Sequence, residues 1–211
     1  MATLKHRLIS SLAIRRGPLI IRLWERMDVD HLADWPRYEF PYEPFNLCIL
    51  GENSQRERDE YFRKRNSDKS RIYLAVDHLD CLVIGLLILV DIDWSSGTVG
   101  NMGIRIRSDW CNRGIGTSAL LMLCDWAFGS GLKRVRLDVA APNQRAIRCY
   151  EKAGFRVVGE FWRDDLSLSQ SDIGKLESAS VPIKSHSRFN KGVPQLRFFW
   201  MEAVPKDSRK G

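Results

Sequence analysis

Apolar and polar positions along this chain follow two rhythms, and each change of rhythm marks an element. Alternation at every second position predicts a half-buried strand, and spacing near 3.6 predicts an amphipathic helix. Leu19 to Trp24 reads as a first strand. Asp28 to Trp35 reads as a short helix whose acidic first turn suits the helix dipole. Asn53 to Arg65 is a polar helix candidate, and Ile72, Leu74 and Val76 alternate as a strand. Cys81 to Val90 is an unbroken apolar run of ten residues, suited to a buried central strand and too short to span a bilayer. Asp91 to Gly97 reads as a turn, and Val99 to Ile106 returns, so the pair predicts an antiparallel hairpin.

From Gly114 the spacing becomes helical: Ile115, Ala119, Leu120, Leu123, Trp126 and Ala127 share a face, and Gly131 stops the helix. Val135, Leu137 and Val139 form the next strand. Asn143 to Phe155 holds a second short helix, capped by Asn143 and closed by Gly154. Val157 to Trp162 reads as a strand, and Gln195 to Val204 as a final strand rich in aromatics. Between them, Arg163 to Val193 is serine-rich, charged and aperiodic, and is expected as a mobile substrate loop or a disordered insertion. Without internal repeats or a domain-sized linker, residues 18–205 read as one domain, with a basic arm over 1–17 and a frayed tail over 206–211.

Two stretches carry candidate chemistry. From Ile104 to Thr117 a strand pattern ends, a polar bend follows, and a glycine-led turn opens a helix. Helix N-termini offer unpaired N–H groups and the positive end of the dipole, which suits an anion such as a pyrophosphate. Gly114 and Gly116 are expected to let a phosphate approach the backbone. On the turn alone, a ligand-free strand-to-helix connection is the competing reading. The second stretch is Pro36 to Phe45, where three prolines forbid a regular helix and Tyr38, Phe40, Tyr42 and Phe45 cluster. It reads either as a wall of a substrate pocket or as a loop pinned to the core by its rings.

Composition narrows the partners. The 211 residues are 44% hydrophobic and 28% charged, ordinary for a globular domain. Lys and Arg exceed Asp and Glu by 33 to 26, a net charge of +7 that favours anionic partners. No basic run is interleaved with aromatics, which disfavours nucleic acid. The five cysteines (48, 81, 111, 124 and 149) lack C-x-x-C spacing and read as reduced thiols of a cytoplasmic protein. The four histidines (6, 31, 78 and 186) show no metal-ligand spacing, so no metal is expected. The first 24 residues contain no acid and carry Lys5, Arg7, Arg15, Arg16 and Arg22. They are read as a basic arm leading into the first strand, in preference to an organelle leader.

Arg113-Gly114-Ile115-Gly116, followed after one strand by Asn143-Gln144-Arg145-Ala146-Ile147-Arg148-Cys149-Tyr150-Glu151-Lys152-Ala153-Gly154-Phe155, resembles the GCN5-related N-acetyltransferase superfamily. The likeness is greatest to its ribosomal-protein-alanine and spermidine acetyltransferase branch. It is specific over residues 99–162, weaker over 18–35, where Ile21-Arg22-Leu23-Trp24-Glu25 resembles that branch's opening strand, and absent over 163–192. The resemblance implies an α/β (α+β) fold. It would be a single domain around a mixed, mostly antiparallel sheet of six to seven strands, flanked by helices and splayed at the cofactor cleft.

It also implies acetyl-CoA as co-substrate and no metal. The pyrophosphate would lie on the turn formed by Cys111, Asn112, Arg113, Gly114, Ile115, Gly116 and Thr117. The pantetheine arm would run along Ile104, Arg105 and Ile106 and meet Asn143 and Ala146. Asn143 could serve there or act only as a helix cap. Tyr150 corresponds to the family tyrosine that protonates the departing thiolate, although a core tyrosine is the plain alternative. The implied reaction is acetyl transfer to a primary amine by direct attack in a ternary complex. The acceptor would be a protein N-terminus or a small polyamine or aminoglycoside, with Tyr38, Phe40, Tyr42, Asp91 and Asp93 as candidate contacts. A homodimer fits the family, and no membrane partner is expected.

Two positions depart from the pattern. Cys111 stands where the family has Gln or Arg, and reads as a passive small residue or a reactive thiol. Asn101 stands where relatives often carry a glutamate base. Asp91, Asp93, Glu39 and Glu43 are substitutes, none of them assigned. The rival from another class is a non-catalytic acyl-CoA-binding sensor, favoured by the missing glutamate and opposed by Tyr150.

Overall fold

Period-two segments need partners for their backbone groups, and here they find them in one sheet. The protein is described by a computed structural model over residues 12–46, 53–165 and 170–205. Most of the basic arm, Cys48 and the tail lie outside the described residues. In chain order the elements are β1 (Ala13–Arg16), β2 (Leu19–Leu23), α1 (Arg26–Ala33), α2 (Gln55–Asn66), β3 (Arg71–His78), β4 (Cys81–Asp93) and β5 (Thr98–Ile106). Then follow α3 (Ile115–Gly129), β6 (Arg134–Ala140), α4 (Gln144–Lys152), β7 (Arg156–Asp164), α5 (Gln170–Ser178), β8 (Ser187–Asn190) and β9 (Val193–Ala203).

The strand order is β1-β2-β3-β4-β5-β6-β9-β7, with β8 beside β9. Every pairing is antiparallel except β5 with β6. The mixed, mostly antiparallel sheet is as expected, with two more strands than the largest expected number. β1 folds back on β2 from within the segment read as an arm, and β8 comes from the segment read as aperiodic.

Both faces are covered, which explains why β3 and β4 are apolar on both sides. On one face Leu120, Leu123 and Ala127 of α3 and Ile147 and Tyr150 of α4 pack against Leu87, Leu137 and Met201. On the other, Val29 and Leu32 of α1 join Trp24, Tyr73, Ala75 and Leu86. An ion cluster fixes α1 there. Arg22 bonds both Asp28 (2.8 Å) and Asp77 (2.7 Å), and Asp77 also accepts from the Val83 N–H (2.8 Å).

Although Arg163 to Val193 reads as aperiodic, its described residues, 163–165 and 170–193, include regular elements. It contains the end of β7, helix α5, a 3-10 turn at Lys184–His186 and β8. Leu176 and Ile183 are fully buried with Ala140 and Leu196 in a separate apolar cluster. Burying a leucine or isoleucine contributes roughly 1.5–3 kcal/mol. Each short element supplies only one or two such anchors among serines and charges, too few to register as a period.

Candidate active site

Between β5 and β6 the sheet opens. The two strands are registered only at Thr98 with Arg134 and Val99 with Val135. Beyond that they part, since β5 stays on β4 as far as Ile106 while β6 stays on β9 as far as Ala140. A cleft of about 680 Å³ occupies the opening, lined from both faces of the sheet. Of the expected cofactor residues, Ile104, Arg105, Ile106, Cys111, Asn112, Gly114, Ile115, Gly116, Thr117, Asn143 and Ala146 all line it. Arg113 does not, and its guanidinium lies 5.0 Å from the Trp110 ring centroid. Arg148 and Lys152 of α4 also line the cleft and add positive charge that was not singled out from the sequence.

One part of this lining is backbone. Asn112 and Gly114 both take positive φ, 61° and 76°. Glycine adopts that conformation without strain, and asparagine tolerates it better than most residues. The first intrahelical bond of α3 runs from Ser118 N–H to the Gly114 carbonyl at 3.0 Å. The N–H groups of Ile115, Gly116 and Thr117 therefore have no helix carbonyl to bond. A Cβ placed on Gly114 would meet nothing within 4 Å, so this side of the turn is open to a phosphate. Gly116 also serves packing. A Cβ there would lie 3.1 Å from Cys149 Sγ, so its missing side chain lets α3 approach α4. Cys111 Sγ faces the carbonyls of Arg107 (3.6 Å) and Ile106 (3.7 Å), which suits the passive reading.

Asn143 caps α4, its Oδ1 accepting from Ala146 N–H at 3.2 Å. Tyr150 is 8% exposed and sits in the core cluster while lining the cleft. Burial above all, then Cys149, Asp138 and Tyr38, pushes its phenol far above the usual range, so it keeps its proton at neutral pH.

The other part is made of side chains from distant segments. Asp138 of β6 lines the cleft on the sheet face opposite Leu137 and Val139. Its Oδ1 accepts from Asn101 Nδ2 at 2.6 Å, and Asn101 Oδ1 accepts from Met102 N–H at 2.8 Å, which fixes the amide. Its Oδ2 accepts from Arg163 Nη2. The position where a glutamate was sought thus holds an asparagine that orients a carboxylate on the neighbouring strand. Asp138 was missed in the sequence. Its only signal was an acid in the polar rank Arg134, Arg136 and Asp138, which looks like any solvated strand face.

The aromatic loop divides. Trp35 Nε1 donates to the Val83 carbonyl (2.8 Å) and Ser108 Oγ to the Pro36 carbonyl (3.1 Å), tying the loop to the sheet. Tyr38 and Phe45 line the cleft, and the Tyr38 hydroxyl donates to the Ile106 carbonyl. Tyr42 lies outside the lining, under the Arg145 guanidinium at 3.9 Å, and Phe40 is half exposed and outside it. Glu39 and Glu43 are likewise not part of the lining.

Asp91 and Asp93 are not among the lining residues. Asp93 pairs with Thr98 and Val90 with Asn101, so both acids follow the Asn101 register on β4, toward its turn. Asp93 instead caps its turn. Its carboxylate accepts from the hydroxyl and N–H of Ser95 and the N–H of Ser96, which hold it well below the usual carboxylate range.

The model of the acetyltransferase (GNAT) family matches residues 24–155. The chain belongs to this family. It is an acyltransferase, and acyl-CoA is the co-substrate class that family membership carries. Similar solved structures agree in fold. Spermidine N-acetyltransferase from Vibrio cholerae in complex with CoA and spermine is 20% identical, with 90% of this chain and 96% of that chain covered and a TM-score of 0.60. A chimera of the Vibrio cholerae enzyme with hSSAT is 20% identical, covering 92% of this chain and all of the other at a TM-score of 0.61. A dodecameric form of the Vibrio cholerae enzyme is 19% identical over 93% of this chain and all of that chain, at a TM-score of 0.59. No curated protein sequence gives a significant match.

Proposed function

We propose that this GNAT protein transfers the acetyl group of acetyl-CoA to an amine by direct attack in a ternary complex. The observation that supports this best is the single cleft at the β5–β6 opening, lined by Tyr150 from the α4 side and by Asp138 on the opposite face. The pyrophosphate suits the backbone N–H groups of Asn112 to Thr117 and the charges of Arg148 and Lys152. Ile104 to Ile106 and Asn143 suit the pantetheine arm.

The thioester supplies the activated acetyl group. Asp138 binds the acceptor as an ammonium and takes its proton, which frees the nitrogen lone pair. The C–N bond forms at the acetyl carbon and the C–S bond breaks. Tyr150, still protonated, donates its proton to the departing sulfur, and the phenolate then takes the second proton that the nitrogen sheds as it becomes an amide, while Asp138 releases the first to solvent. With a carboxylate in the cleft beside the tyrosine, the enzyme reading is favoured over the sensor reading. The acceptor amines considered from the resemblance, a protein N-terminus or a small polyamine or aminoglycoside, all present the ammonium this site needs. Neighbouring structures bear on the polyamine because one carries spermine.

The test is CoA release from acetyl-CoA across a panel of amines and peptides. At least one amine should be turned over, and Asp138→Asn should lower kcat/KM for it by about 10²-fold, in the range of general-base losses, with acetyl-CoA binding retained. Full activity in Asp138→Asn would remove Asp138 from the mechanism. A protein that binds acetyl-CoA but acetylates no amine would favour the sensor.

A further inference from the structure

Asp138 is not the only charge at the acceptor end. Arg163 is ion-paired to it, with side chains 46% and 14% exposed respectively. The Arg163 guanidinium lies 3.8 Å from the Phe198 ring centroid and 5.4 Å from that of Phe161. Those rings come from adjacent strands and stack on each other at 5.7 Å. The cation is thus part of the wall of the cleft, which Arg163 and Phe198 both line.

A guanidinium stays charged at any working pH. An incoming ammonium therefore meets a carboxylate and a fixed cation side by side. Attraction and repulsion act over similar distances and largely cancel. An acceptor with only positive charge gains little from such a pair. An amine with a carboxylate on the adjacent carbon meets each charge with its opposite. The guanidinium fork also matches carboxylate geometry, which an ammonium cannot exploit. Asp164 and Asp165 line the same cleft, and Asp164 is already bonded to Gln195 Nε2 at 2.7 Å.

We propose that the acceptor is an amino-acid-like zwitterion, its ammonium seated on Asp138 and its carboxylate on Arg163. This rests on the acetyl-transfer reading and names the substrate class of that site. Arg163 is then the specificity-determining residue.

The test compares each L-amino acid with its own C-terminal amide, and both with spermidine, as acceptors for acetyl-CoA. The best amino acid should exceed its amide by tenfold or more in kcat/KM. Arg163→Gln should bring that ratio close to one, chiefly by raising KM for the acid, and Arg163→Lys should restore part of it. A fold defect would lower acid and amide together, so the ratio separates recognition from structure. The acid-against-amide comparison in the unaltered chain does not depend on any variant folding. Equal rates for acid and amide, preference for spermidine over every amino acid, or an undiminished ratio in Arg163→Gln each overturn the proposal. If no amine releases CoA, the acetyl-transfer reading has failed. Calorimetric titration of the same acids and amides into CoA-saturated protein then decides the recognition claim: tighter binding of an acid supports it, and equal binding or none contradicts it.

Discussion

The two ends of the cleft are built on different principles. The turn from Asn112 to Thr117 offers backbone N–H groups from one short run, and its shape depends on a positive φ at Asn112 and Gly114. The end proposed for the acceptor assembles Tyr38, Asn101, Asp138, Arg163 and Phe198, each from a different segment and each held by a tertiary contact. A backbone site tolerates changes in neighbouring side chains but not in dihedral preference. A side-chain site is the reverse, and it depends on long-range packing for its geometry. The first is suited to a constant ligand such as CoA, and the second to an acceptor that can differ among relatives on one fold.

Three changes sharpen this contrast. Leu176→Ala should have the largest effect, about 2–5 kcal/mol in denaturant unfolding, because it empties a fully buried position in the cluster beneath α5. Acetyl-CoA binding should survive at temperatures where the variant is folded. A loss below about 0.5 kcal/mol would mean that α5 does not support the acceptor end. Gly114→Ala comes next. A left-handed alanine costs about 1–2 kcal/mol, and its Cβ enters the open side of the turn. Acetyl-CoA affinity should fall whatever the acceptor, and unchanged affinity would remove the pyrophosphate from this turn. Arg113→Ala should do least. Its side chain rests on Trp110, a contact of about 0.5–1 kcal/mol. Acetyl-CoA affinity should stay within about twofold, and a loss of tenfold (about 1.4 kcal/mol) would shift the phosphate contact from backbone to side chain.

The same contrast explains what could be read from the sequence. A contiguous backbone site writes itself as a local pattern, so Gly114 and the spacing from Asn143 to Tyr150 announced one lip of the cleft. The strands β2 to β7 were legible from alternation and, for β4, from its unbroken apolar run, and the hairpin of β4 and β5 from its turn. The acceptor end had no such signature. Asp138 and Arg163 are separated along the chain and meet only because β9 lies between β6 and β7 in the sheet. Asp91 and Asp93 were attractive because they end an apolar strand, yet neither lines the cleft and Asp93 caps its own turn. Gly116 shows a subtler limit. A glycine beside a phosphate turn invites a ligand explanation, and the close packing against Cys149 on another helix cannot be read from the sequence. The described elements within Arg163–Val193 were not legible because α5 and β8 are too short to show a period and are stabilised by tertiary burial.

Tyr150 joins the two ends, so it tests the account most directly. Turnover and acetyl-CoA affinity are measured together in Tyr150→Phe, with any amine that the native chain acetylates. The ring remains to fill the core, so the fold and acetyl-CoA affinity should be nearly unchanged. The rate should fall by about 10²-fold or more, because no proton is delivered to the leaving sulfur. An undiminished rate would return Tyr150 to the status of a core tyrosine and contradict the mechanism.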